Sequence, residues 1–207
     1  MASPTTALLD NANRANEGPP PTGWTTTGSG IKIVSNAFEA AVADGASNSA
    51  ASWNIPYTAG AQEAWTTCVE AIASGGNRYY VLFCCQEVQG TYDELYEIEY
   101  DNNAGGRFRV YKVVAGVFTQ LGSTFSTTMA ANDQIWIHVL NGTVTGYLNG
   151  TARASGSTDG AITGTFIGQG FYVDVIAAAS LDNFGGGSLP IQAVRSMHQI
   201  RMRQVAA

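Results

Sequence analysis

Charge is what this 207-residue chain most lacks: charged side chains make up 13% of it, about half the usual share of roughly a quarter. Basic residues are the scarcer kind, ten against sixteen acids, which leaves a net charge of −6. A surface that tracks phosphates needs clustered lysine and arginine, so no nucleic-acid partner is expected. No apolar run approaches the roughly 18 residues of a membrane-spanning helix, so no membrane partner is expected either. Cysteine is equally sparse. Cys68, Cys84 and Cys85 are odd in number and two are adjacent, a poor disulfide framework, and no histidine cluster completes a zinc site. All three lie in apolar runs and are expected to be buried free thiols. Residues 1–9 lack the basic flank and apolar stretch of a secretory signal, so either the chain stays in the cytoplasm where it is made, the preferred reading, or a signal has been removed.

What is present is glycine, 24 residues of it, spaced between short apolar runs within a 45% hydrophobic sequence. Glycine tolerates the positive φ that tight turns require, and that apolar content is enough to order one domain. Residues 31–34 and 38–40 read as a hairpin around Ser35-Asn36. The stretch 44–52, rich in Gly, Ser, Asn and Ala, reads as a surface loop. Residues 65–72 and 79–88, on either side of Ser74-Gly75-Gly76-Asn77, read as a second hairpin. Residues 92–100 alternate, with Tyr92, Glu94, Tyr96, Ile98 and Tyr100 on one face and Asp93, Leu95, Glu97 and Glu99 on the other. Strands follow at 107–114 and 117–121, then at 135–140 and 144–148 around Asn141-Gly142-Thr143. The set closes with 162–167, 171–176 and 180–184. Helical periodicity shows only as a trace at 62–73, where Thr, Cys, Val and Ile argue against it. About a dozen short strands at this spacing predict an all-β antiparallel sandwich.

Several segments resemble the concanavalin A-like (LamG-type) jelly-roll domains found in bacteriophage and bacterial surface proteins. They are Asp10-Asn11-Ala12-Asn13-Arg14-Ala15-Asn16, which is similar to the opening D-x-F-x-R-A-N, together with Trp24 and Ile33-Val34-Ser35-Asn36. Tyr111-Lys112-Val113, residues 118–122, residues 145–150 and Leu181-Asp182-Asn183-Phe184 also match. The resemblance covers about residues 8–187. It implies a two-sheet jelly roll in which the first and last strands pair, through residues 9–11 and 181–183. Ala12 stands where the family tends to have Phe, which bears on how deeply the first strand packs.

Three sites suggest themselves. Glu97, Glu99 and Asp101 fall on one face of a strand and resemble the E-x-D-x-E strand of laminarinase-type glycoside hydrolases, though in a different order. A solvated acidic face is the preferred reading of that row, and no catalytic residue is assigned. Calcium is held in lectin-type jelly rolls by loop oxygens of the kind that Asp93, Asp101, Asn102, Asn103, Asp174, Asp182 and Asn183 supply, but no spacing selects a set. No cofactor is assigned, with calcium left open. Tyrosines, above all Tyr92, Tyr96 and Tyr100 and also Tyr79, Tyr80 and Tyr111, could line a concave sheet and stack on sugar rings, or simply serve as strand residues. His138, between Ile137 and Val139, reads as structural. Asn141-Gly142-Thr143 and Asn149-Gly150-Thr151 match the glycosylation sequon but are first of all turns.

After Gly185-Gly186-Gly187-Ser188 the character changes. Residues 189–207 hold three arginines and no acid, with Arg195, Met197, Ile200, Arg201, Met202 and Arg203 forming a basic, partly apolar arm on an acidic body. The expected organisation is a jelly roll over 1–188 and an arm over 189–207 that docks on neighbouring subunits. The resemblance and the arm together point first to a non-catalytic virion structural protein. That would be a capsid decoration or accessory subunit, a homo-oligomer or bound to other virion subunits. The alternative is a carbohydrate-binding module of a surface or secreted protein that meets cell-surface glycans, and a glycoside hydrolase comes third.

Overall fold

The computed structural model describes residues 3–42, 49–70, 78–102, 105–173 and 179–190. Within them the chain is all strand and turn. Fifteen strands run in chain order: β1 Leu8–Asp10, β2 Trp24–Gly28, β3 Ile31–Val34, β4 Ala37–Ala40, β5 Ser49–Trp53, β6 Gln62–Cys68, β7 Arg78–Gln86 and β8 Leu95–Asp101. Then come β9 Arg107–Val114, β10 Val117–Ser126, β11 Gln134–Leu140, β12 Thr143–Leu148, β13 Thr151–Ser157, β14 Phe166–Val173 and β15 Ser180–Ser188. They form two antiparallel sheets. The first runs β13-β12-β11-β6-β15-β4-β3, with β1 also paired to β15, and the second runs β10-β9-β8-β7-β14-β5-β2. This is the expected antiparallel jelly-roll sandwich.

Alternation decides what lies between the sheets. Tyr80 and Leu82 of β7, Ile98 of β8 and Phe108 of β9 point inward to meet Ile135 and Ile137 of β11 and Leu181 of β15, all buried. The space is so full that Gly146 of β12 has no room for a side chain: a Cβ there would lie 2.6 Å from the Phe108 ring and 2.7 Å from Ile98. At the other end Trp24 packs against Phe38 and Phe184, with ring centroids 5.4 and 4.7 Å apart.

The predicted pairing of the chain ends is present, shifted along β15: Leu8 faces Gly185 and Asp10 faces Phe184. The opening motif is a clasp. The Asp10 carboxylate accepts from the Ala12 amide at 2.9 Å, from both terminal nitrogens of Arg14, and from Trp24 Nε1 at 2.8 Å. Ala12 takes a positive φ and is fully buried, so the small residue at the family's Phe position still sits in the core. Ser35 and Asn36 carry the positive φ of a hairpin turn, as expected between β3 and β4.

Four expectations are corrected. β6 and β7 are not a hairpin: β6 pairs with β11 and β15 in the first sheet, β7 with β8 and β14 in the second. Two consecutive strands that share a core can face each other across the sandwich as readily as pair, and alternation is the same in both cases. Residues 49–52, expected in a loop, belong to β5, whose small side chains fit because neighbouring β14 carries Gly168 and Gly170. β13, absent from the prediction, pairs with β12 beyond the Asn149-Gly150 turn. The strands expected at 162–167 and 171–176 are, over the described residues, the single strand β14 spanning Phe166–Val173, and 174–176 lie outside the described residues. The cysteines are free and buried, and burial pushes the Cys68 and Cys85 thiols up to about 11 and about 12.

Replacing Asp10 with alanine strands the Trp24 indole N–H and removes both terminal contacts of Arg14. We expect a loss of about 3 kcal/mol in urea unfolding with an unchanged slope, and a smaller loss for Asp10→Asn.

Candidate functional site

β8 sorts its side chains by face, and the sorting corrects the tyrosine expectation. Tyr96, Ile98 and Tyr100 point into the sandwich, whereas Leu95, Glu97, Glu99 and Asp101 point away from it. Tyr96 is fully buried, with its hydroxyl donating to the Thr158 carbonyl, and Tyr100 accepts the Met129 amide at 3.0 Å. Neither is available to a glycan. Tyr80 is likewise interior, its hydroxyl donating to the Glu70 carbonyl at 2.8 Å. Tyr92 departs from the predicted phase because β8 begins only at Leu95. The preceding bend turns the ring to the outer face, where it meets Phe83 edge-on at 5.7 Å and Phe118 nearly parallel at 6.3 Å. Its hydroxyl donates to Glu97.

The outward row of β8 faces a matching row on β9. Glu97 lies opposite Tyr111, Glu99 opposite Arg109, and Asp101 opposite Arg107. Arg109 bridges Glu99 and Asp101, the latter at 2.8 Å, while Arg107 also holds Asp101. The Arg109 guanidinium sits 5.6 Å over the Tyr111 ring. Phe118 on β10 meets Tyr111 edge-on at 6.0 Å and is 47% exposed, forming an apolar rim. The expected solvated acidic face is therefore a desolvated, ion-paired one. Glu97 is 1% exposed, and burial pushes its carboxyl up to about 8 against the lowering effect of the Tyr92 hydrogen bond. Burial also raises Glu99, with Arg109 opposing. The Nε of Arg109 and that of Arg107 are buried with no hydrogen-bond partner among the described residues.

The outward face of the first sheet carries aromatic residues that the sequence reading did not single out as a site, beside His138, which it read as structural. Trp136 of β11 stacks on Tyr147 of β12 at 4.9 Å and 12°, and His138 meets Tyr147 edge-on at 6.0 Å. The signal was there: Trp65 and Trp136 occupy the polar phase of otherwise alternating strands. This face is only half open: Trp65, His138 and Tyr147 are half-buried. Trp136 is 2% exposed, and a Cβ at Gly185 would fall 2.1 Å from the Trp65 ring, which lies on that backbone. Glu63 is spent on the Thr5 and Thr6 amides and the Thr6 hydroxyl. His138, 4.0 Å from Glu63, is lowered by burial.

The proposed calcium oxygens are scattered. Asp93 lies in the bend before β8, Asp101 is engaged by arginines, and Asp182 and Asn183 bond each other in β15. Asn103, Asp174 and Tyr79's side chain lie outside the described residues. Among the described residues no group of three or more His, Cys, Asp or Glu is placed to hold a metal. The expected docking residues Arg195, Met197, Ile200, Arg201, Met202 and Arg203 also lie outside the described residues.

The raised Glu97 carboxyl has a signed consequence. Between about 4.5 and about 8 the folded chain holds a proton there that the unfolded chain has released, so this group's contribution falls as pH rises through that window. We expect thermal unfolding of the wild type to lose stability across pH 5–8 by up to about 1.4 kcal/mol per unit, and Glu97→Gln to flatten the profile.

No family model and no curated protein matches this chain. Solved structures do. The carbohydrate-binding module CBM66 from Bacillus subtilis superposes with a TM-score of 0.62 at 15% identity, covering 81% of this chain and 96% of that one. The carbohydrate recognition domain of Emp46p, in a potassium-bound form, gives 0.60 at 8% identity over 89% of this chain and 97% of its own. A Bacillus subtilis protein of unknown function with a galectin-like fold gives 0.58 at 13%, over 90% and 100%. At such identities the likeness is one of architecture: the chain shares the two-sheet antiparallel jelly-roll fold of these structures.

Proposed function

We propose that the chain is a carbohydrate-binding module that holds a neutral glycan on the outward face of its second sheet, at Glu99, Arg109 and Tyr111, with Phe118 at the rim. The observation that carries this reading is the fixed ladder of ion-paired carboxylates and guanidiniums beside partly exposed aromatic rings. A sugar ring offers an apolar C–H face and an edge of hydroxyls. Tyr111 and Phe118 suit the face, while the Glu99 carboxylate, its side chain 17% exposed, suits the edge. Because the charged groups already hold one another, little side-chain entropy is lost on binding. With Glu97 protonated at neutral pH, two arginines balance two carboxylates, which favours an uncharged ligand.

Two of the structural neighbours are named for carbohydrate, which supports the reading without extending to a particular sugar. It implies a working place where glycans are met, at a cell surface or outside it. The virion role first expected has no observation among the described residues in its favour, and its docking arm lies beyond them. The locked carboxylates also count against hydrolysis, since Glu99 and Asp101 are neutralised and Glu97 lies beneath Tyr92.

Binding to an array of neutral glycans, followed by titration of the best ligand, tests the site. Arg109→Ala and Tyr111→Ala, with wild-type circular dichroism, are expected to weaken binding by about tenfold or more, while Trp65→Phe on the opposite sheet leaves it unchanged. Silence across the array, or binding indifferent to both ladder variants, would overturn the assignment.

A further inference from the structure

A cleft of about 600 Å³ opens at the end of the sandwich where β1 passes the start of β2 and the end of β5. Leu8, Leu9, Asp10, Asn11, Arg14, Glu17, Thr22 and Trp53 line it. Its size is within the range that takes a small molecule. The two walls are unlike. Leu8, Leu9 and Trp53 are apolar, Leu8 being 49% exposed, while Asn11, Arg14, Glu17 and Thr22 are polar.

The polar wall is rigid. Arg14 is held by Asp10 on one side and by Glu17 on the other, Nε to Oε2 at 2.7 Å, and the Thr22 amide and hydroxyl fix the second Glu17 oxygen. The Arg14 hydrogen bond lowers Glu17 to about 2, so the pair stays charged at any ordinary pH. One guanidinium between two carboxylates gives the cleft no positive character, and every charged group already has a partner. An anion gains nothing there. A ligand that fits has an apolar face for Trp53 and Leu8, a hydrogen-bonding edge for Asn11 and Glu17, and no negative charge.

We propose that this cleft is a second saccharide site, binding a neutral sugar ring against Trp53 and Leu8. It does not rest on the ladder. In the second sheet β5 stands three strand spacings from β8, about 14 Å away, so either site can fail alone.

The full-length chain labelled with ¹⁵N is titrated with the methyl glycosides of glucose, mannose, galactose and fructose while the indole N–H signals are followed. Trp53 is assigned by its loss in Trp53→Phe. A saturable shift of the Trp53 signal with at least one glycoside is expected. In Leu8→Gln, which alters only an exposed wall, the midpoint is expected to rise about tenfold. In Arg109→Ala it should not move, and retention of the Trp53 shift when ladder binding is absent would still support the cleft. The proposal fails if none of the four glycosides shifts Trp53, if the shift is the same in Leu8→Gln, or if it is lost in Arg109→Ala. It fails equally if phenol shifts Trp53 and the glycosides do not, since the cleft would then be a plain apolar pocket.

Discussion

Tyr96, Ile98 and Tyr100 fill the space between the two sheets, and because successive side chains on a strand point opposite ways, Glu97, Glu99 and Asp101 must then stand together on the other side. Three acids in one row repel one another unless something intervenes. β9 supplies it: Arg107 and Arg109 come into register with Asp101 and Glu99, while Tyr111 faces Glu97. This polar surface of the second sheet is thus a by-product of packing its interior. Its arrangement is set by strand register rather than by loops.

That ladder is electrostatically unusual for an outward face. Exposed pairs contribute little, but here the partners are largely withdrawn from water, and breaking one leaves a buried charge. Glu97 escapes the penalty differently, by staying protonated beneath the Tyr92 hydroxyl. Such a surface is stiff, and stiffness is what a weak, hydroxyl-reading site needs. The clasp of Asp10, Arg14 and Glu17 follows the same rule at the other end of the sandwich, where a charge pair shapes a wall without presenting a net positive field.

Much of the architecture was legible. Alternation and glycine turns located β3, β4, β9, β11 and β12 closely, and the resemblance to LamG-type jelly rolls implied the pairing of the chain ends. β5 and β13 were not legible, because Ser-Ala-Ala-Ser and the small residues after Thr151 carry no apolar alternation, and only their neighbours make them strands. The site was half legible. The acidic row could be read from spacing, but which face it shared could not. That depended on where β8 begins, and a shift of three residues moved Tyr92 outward and left Tyr96 and Tyr100 in the core. The Arg109 contribution was hidden for a different reason: it arises from cross-strand register, to which periodicity along one strand is blind.

The position of β15 has a consequence for how the molecule comes into being. It is the last of the fifteen strands to be synthesised, yet it lies between β6 and β4 with β1 against it. The first sheet therefore stays divided, its two halves unjoined, until residues near 188 have left the ribosome. Closure then requires partners separated by most of the chain, the arrangement that makes folding slow and leaves half-built edges open meanwhile.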